Sequence, residues 1–134
     1  MDDIFVASLM STDVVTVTSD TLVEDAAQRL RENRIGSLVV VDSHGRIEGM
    51  LTSTDFVAIV AKSRPKADTT VERYMTEQVV TVGPQDPIQD AADAMITYGI
   101  SHLPVVDDGD TVIGMLSSTD LTAYLSGVQE PSPA

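Results

Sequence analysis

The amino-acid sequence predicts an α/β (α+β) fold of two β-α-β-β-α repeats packed with pseudo-twofold symmetry, on three observations. A shift of 65 residues lays Met10–Phe56 on Met75–Leu121 without a gap, and 19 of the 47 pairs are identical, which marks an internal duplication. Within each copy, short β-branched runs alternate with a helix-period stripe and a turn-linked pair of apolar runs. Each copy is about 60 residues long, enough for only a marginal core by itself, so the copies are expected to pack together and form two equivalent clefts along the seam. Repeat 1 is set at 1–65 and repeat 2 at 66–134.

Each copy opens on a short helical lead, Ile4 to Met10 and Val71 to Met75. Val14–Val17 and Val79–Val82 then read as strands by their β-branched content. Thr21-Leu22-Val23-Glu24 has capping-box spacing, and Asp86-Pro87-Ile88-Gln89 adds proline at the first helical position, so a helix is expected from each. Its buried face is Val23, Ala26, Ala27 and Leu30 in one copy and Ile88, Ala91, Ala92 and Met95 in the other, the i, i+3, i+4, i+7 pattern. Leu38–Val41 and Ile47–Leu51 flank the turn Asp42-Ser43-His44-Gly45, and Leu103–Val106 and Val112–Leu116 flank Asp107-Asp108-Gly109-Asp110, giving one antiparallel hairpin per copy. A last helix runs from Thr52 to about Ala61, and from Ser117 to about Leu125. Residues 62–70 read as a polar, basic connector broken by Pro65, and residues 127–134, with two prolines, as a frayed tail.

Hydrophobic residues make up 43% of the chain and aromatic residues only 4%, so the core must be built from Val, Leu, Ile, Met and Ala. With no cysteine, disulfides, thiolate metal sites and cysteine nucleophiles are excluded, which suits a reducing cytoplasm. No run approaches the ~18 apolar residues of a membrane span, and Met1-Asp2-Asp3 is acidic where a secretory leader is basic. A cytoplasmic protein without membrane insertion is expected. Net charge is −13, and residues 74–134 hold nine acids and no Lys or Arg. A surface of that sign repels a phosphate backbone and excludes sequence-specific nucleic-acid binding. The plain reading of this acidic composition is solubility, including adaptation to a salty cytoplasm; the sharper reading is a docking face for a basic partner.

The stretch Gly49-Met50-Leu51-Thr52-Ser53-Thr54-Asp55 returns as Gly114-Met115-Leu116-Ser117-Ser118-Thr119-Asp120. Thr52-x-x-Asp55 and Ser117-x-x-Asp120 are capping boxes, and a helix N-terminus with free N–H groups beside hydroxyls is equally an anion site. The two readings coexist. No nucleophile–base pair, oriented histidine or metal-ligand set is visible, so no catalytic residue is assigned and the chain is not read as an enzyme. Asp107, Asp108 and Asp110 crowd one turn without the further oxygen ligands a hard cation requires, and no metal is assigned. His44 reads as a solvated turn residue. His102, the counterpart of Ser37, reads equally as a ligand contact or as a surface-strand histidine, so the two clefts differ chemically.

Taken in order, Met-Thr/Ser, Val-Val-Thr-Val, Asp-Ala-Ala, Ile-x-x-Leu-Pro-Val-Val-Asp and Gly-Met-Leu-x-x-x-Asp resemble the CBS domain, named after cystathionine β-synthase. Their double occurrence over about residues 6–126 resembles a CBS pair, or Bateman module. The resemblance implies a disc-like unit that dimerises through helices and binds AMP, ADP, ATP or S-adenosylmethionine in two clefts. It implies a regulatory role, such as energy sensing, exerted on an effector protein in trans. Carried onto this chain, one cleft uses Asp120, Ser117 and Thr119 with Thr18, Ile35, Gly36 and Ser37. The other uses Asp55, Thr52 and Thr54 with Ile100, Ser101 and His102. In each, the Asp holds the ribose hydroxyls, while Met50 and Met115 offer adaptable apolar contact to an adenine face. Cations for a phosphate must come from Arg34, Arg46, Arg73, the connector or a dimer neighbour, so AMP or S-adenosylmethionine is expected over ATP without a metal. No cofactor beyond such a regulatory ligand is expected, and the partners expected are that small molecule, a second copy of the chain and the effector. The alternative is a module that only dimerises or scaffolds.

Overall fold

The computed structural model describes residues 4–62 and 69–127; the connector residues Arg64 and Lys66 and the tail beyond Gly127 lie outside them. In chain order the elements are α1 (Val6–Leu9), β1 (Thr16–Val17), α2 (Val23–Asn33), β2 (Ser37–Val41), β3 (Ile47–Thr52), α3 (Ser53–Lys62), a 3₁₀ turn (Val71–Arg73), α4 (Ile88–Tyr98), β4 (His102–Val106), β5 (Val112–Ser117) and α5 (Ser118–Ser126). They form two compact units, one of residues 15–79 and one of residues 1–14 with 80–134. The lead of each repeat therefore belongs to the unit built on the other repeat's hairpin.

In the 15–79 unit the sheet order is β1-β2-β3. β1 runs parallel to β2, with Thr16 beside Val39, and β2 pairs antiparallel with β3 from Ser37–Thr52 to Val40–Gly49 before a bulge at Val40/Val41. Side chains alternate across a strand, so Leu38, Val40 and Leu51 share one face. There they meet Val17 of β1, Ala26 and Leu30 of α2, and Val71 of the second repeat's lead. All five residues of β2 are buried, which is why that strand reads as an unbroken apolar run and not as an alternating one.

The 80–127 hairpin repeats that register, from His102–Ser117 to Val105–Gly114, with its bulge at Val105/Val106. Leu103, Val105 and Leu116 join Val82, Ala91 and Met95, the last two from α4, and Val6 and Leu9 of α1. The four-residue α1 is too short to be stable alone; its Val6 and Leu9 are held by packing against β5 and α5.

Two local expectations give way. Val79–Val82 is not a strand but a single parallel bridge, Val82 to Val105. In the first repeat the Val39 N–H donates to the Val15 carbonyl at 3.5 Å; the matching residue is Pro104, which has no N–H to give. What survives is Val82 N–H to Pro104 O at 3.1 Å and Val106 N–H to Val82 O at 2.9 Å. Likewise α2 and α4 start after Leu22 and Pro87 without a side-chain cap. Thr21 Oγ1 and Asp86 Oδ2 instead accept from Thr18 N–H (3.1 Å) and Gly83 N–H (2.8 Å), closing the turn before each helix.

Both of these helices end on a left-handed residue, Arg34 at φ 54° and Gly99 at φ 64°. That backbone costs a side-chain-bearing residue roughly 1 kcal/mol that glycine avoids. Arg34→Gly is expected to raise the melting temperature by about 3 °C; a lower melting temperature would contradict a strained cap at this position.

Candidate ligand sites

In each unit the hairpin brings the start of one strand to the end of the next. Ser37 opens β2 directly opposite Thr52, the last residue of β3, and the Ser53 N–H donates to the Gly36 carbonyl at 2.9 Å. Thr52 then caps α3: its N–H donates to Asp55 Oδ2 (2.8 Å) and its Oγ1 accepts from Asp55 N–H (3.3 Å). Ile35, Gly36, Ser37, Thr52 and Asp55 thus meet in one place, with Thr54 exposed on the first turn.

The second repeat builds the same arrangement. His102 stands opposite Ser117, and Ser118 N–H donates to Ser101 O at 2.9 Å. Ser117 N–H donates to Asp120 Oδ2 (2.8 Å), and Asp120 N–H to Ser117 Oγ (3.1 Å). Ile100, Ser101, His102, Ser117 and Asp120 are gathered, and Thr119 is exposed. Each unit by itself therefore joins a cap to the strand start of its own repeat. Thr18 lies elsewhere in the 15–79 unit. It follows β1, which runs parallel to β2 with Val17 beside Val40, so it sits at the far end of the sheet from Ser37, with its hydroxyl donating to Asp20 at 2.5 Å.

Met50 and Met115 pair with Val39 and Pro104, on the sheet face shared with Ser37 or His102. Both are buried, at 8% and 1% exposure. The caps differ in depth: Asp120 is 2% exposed and Ser117 3%, whereas Thr52 and Asp55 are half-buried. Ser37 is also 3% exposed, and among the described residues its Oγ is the buried side-chain oxygen without a hydrogen-bond partner. Such a hydroxyl costs about 1–3 kcal/mol until something satisfies it. His102 is half-buried. Desolvation pulls its imidazole below the usual value, and the nearby Asp120 carboxylate pushes back the other way.

The leads supply contacts that sequence reading missed. Met50 and Thr76 exchange backbone bonds at 3.0 and 2.9 Å, as do Ser11 and Met115 at 2.8 and 2.9 Å. A Cβ on Gly49 would come within 2.9 Å of the Thr76 carbonyl and 2.8 Å of Met75 Sδ; one on Gly114 would meet Ser11 O at 3.0 Å and Met10 Sδ at 2.5 Å. The recurring Met-Thr/Ser pair was the available signal. The acids of the second turn have a local task, since Asp107 Oδ1 accepts from Gly109 N–H (2.9 Å) and Thr111 N–H (3.0 Å). Asp42 does the same for His44 and Arg46, and pairs with the Arg46 guanidinium at 3.2 Å. These bonds and the neighbouring cation hold the Asp42 carboxyl below the usual carboxylate range.

Comparison with known proteins gives the family. The CBS domain model matches residues 6–62 and again 71–127, so the chain belongs to the CBS domain family and carries two copies of it. It is 35% identical over 123 residues to a 17.7 kDa protein of the bps2 3′ region of Acidianus ambivalens, covering 92% of this chain and 74% of that one. It is 37% identical over 125 residues to the homoserine O-acetyltransferase of Methanosalsum zhilinae, where 93% of this chain spans only 25% of the enzyme. Among solved structures, the CBS domain pair of protein MJ0100, in complex with 5′-methylthioadenosine and S-adenosyl-L-methionine, superposes with a TM-score of 0.86 at 32% identity, over 94% of this chain and 98% of that one. Among the described residues no helix is long and apolar enough to cross a membrane.

Proposed function

We propose that this chain is a ligand-sensing regulatory module that takes adenosine-containing small molecules at its two helix caps and passes their presence to a partner protein. The observation that carries the reading is the duplicated constellation of strand start and capped helix N-terminus, one copy of which holds the buried Ser37 hydroxyl, without a hydrogen-bond partner among the described residues. Support from outside comes from the CBS pair that binds 5′-methylthioadenosine and S-adenosylmethionine at 32% identity. Asp55 and Asp120 would accept from ribose hydroxyls, since a capping carboxylate retains lone pairs beyond the bonds it takes from the backbone. The helix N-termini favour at most a modest negative charge. Against net −13, adenosyl ligands with few or no phosphates are favoured over metal-free ATP.

The chain is further proposed to homodimerise through helices that leave Val57, Val60 and Leu125 at 70%, 74% and 83% exposure. Thermal melting against 5′-methylthioadenosine, S-adenosylmethionine, AMP and ATP in EDTA tests the reading, with light scattering on the same samples. A ligand at one hundred times its Kd stabilises by about 2.7 kcal/mol, so a rise of several degrees is expected for at least one of the first three. ATP is expected to give a smaller shift than AMP. No shift with any of the four would favour the scaffolding alternative, and a monomer with and without ligand would remove the dimer.

A further inference from the structure

The two units divide the charge more sharply than the two repeats do. Residues 15–79 hold all eight Lys and Arg against ten acids, a net of −2, whereas residues 1–14 and 80–134 hold eleven acids and no Lys or Arg, a net of −11. His102 is therefore the one side chain of that second unit able to become a cation. It opens β4 directly opposite the cap residue Ser117, at the position that Ser37 occupies in the other unit. β5, paired with β4, contributes the Ser117 hydroxyl, and the Asp120 carboxylate of α5 lies near enough to act on the imidazole. α4 carries Asp90 and Asp93, both exposed.

We propose that His102 is the specificity-determining residue of the 80–127 site: a ligand bearing a phosphate binds there only together with a proton taken up by the imidazole, whereas an uncharged or sulfonium-bearing adenosyl ligand binds without one. This rests on the ligand-sensing reading above and goes beyond it. A phosphate brought to a net −11 unit without a cation is repelled, and protonation of His102 supplies the missing charge where the ligand's tail meets the helix. In the free protein, burial pulls the imidazole below its usual value against the opposing push of Asp120; a phosphate bound beside it pushes it upward, so binding draws in a proton. The sign follows: phosphate-ligand affinity is greatest at low pH and falls as pH rises through the imidazole pKa of the complex, by up to about tenfold per unit. Ser37 does not titrate, so the other site has no such dependence.

Calorimetry in buffers of different ionisation heat measures the proton directly. AMP at pH 7.5 is the anionic probe, and 5′-methylthioadenosine the uncharged one. The expected result is uptake of a substantial fraction of one proton with AMP and none with 5′-methylthioadenosine. His102→Asn and His102→Gln are each expected to abolish the uptake and to flatten the AMP affinity between pH 6.5 and 8, with an unchanged circular-dichroism spectrum and a cooperative thermal transition showing that each variant is folded. AMP binding without proton uptake, or uptake retained in both variants, overturns the inference alone. Failure of both probes to bind anywhere in that pH range overturns the ligand-sensing reading itself, and the inference with it.

Discussion

Gly49→Ala is expected to destabilise the protein by about 2 kcal/mol, the usual scale for a methyl group forced into a filled space. The added carbon would lie 2.9 Å from the Thr76 carbonyl and 2.8 Å from Met75 Sδ. A sulfur at the end of a flexible side chain can move away; a carbonyl that accepts the Met50 N–H at 3.0 Å moves only by giving up the reciprocal bridge. Met75→Ala should therefore rescue Gly49→Ala only in part. At the matching glycine a methionine sulfur is again the nearest atom, Met10 Sδ at 2.5 Å, but it now carries most of the clash, because the carbonyl of Ser11 stands further back at 3.0 Å. Met10→Ala is expected to recover most of the loss in Gly114→Ala. Denaturant unfolding of the two double-mutant cycles checks both statements, and equal rescue at both glycines would contradict the distinction between backbone and side-chain contact.

Asp120→Ala is expected to cost about 2–3 kcal/mol, and Asp55→Ala about 1 kcal/mol. Each loses a capping bond of the kind valued at ~1 kcal/mol. Asp120 is buried with Ser117, at 2% and 3% exposure, so its removal also strips the acceptor from a Ser117 N–H that water reaches poorly, adding about 1–2 kcal/mol. Asp55 and Thr52 are half-buried, and solvent replaces part of what is lost. Asp120→Asn, which keeps an acceptor oxygen, should fall between wild type and Asp120→Ala. Equal costs for the two alanine variants would show that burial does not distinguish the caps.

What was legible in the chain was what local chemistry decides. The duplication, the hairpins on either side of Asp42–Gly45 and Asp107–Asp110, and the capping boxes at Thr52 and Ser117 follow from period and side-chain type, and they carry the family. What was not legible depends on contacts between distant segments. Pro104 reads as one apolar residue in a strand, and its missing N–H matters only once Val82 lies alongside. Met10 and Met75 read as the ends of short helices, yet they cover Gly114 and Gly49, a match decided by which sheet each lead reaches. Thr21 has the spacing of a cap but bonds backwards to Thr18, because two acceptable hydrogen bonds compete and sequence does not rank them. The site is half legible in the same sense. Asp55, Asp120 and their hydroxyl partners were readable from spacing, whereas the buried Oγ of Ser37, without a partner among the described residues, is a property of the packed strand.

The most direct measurement is a calorimetric titration of 5′-methylthioadenosine into the wild-type chain, repeated on the Asp55→Ala, Asp120→Ala double variant under conditions where both remain folded. Saturable binding in the wild type, weakened at least tenfold in the double variant, is the result expected if the capped helix N-termini hold the ribose. Binding unchanged in the variant, or no binding by wild type at millimolar ligand, would contradict it.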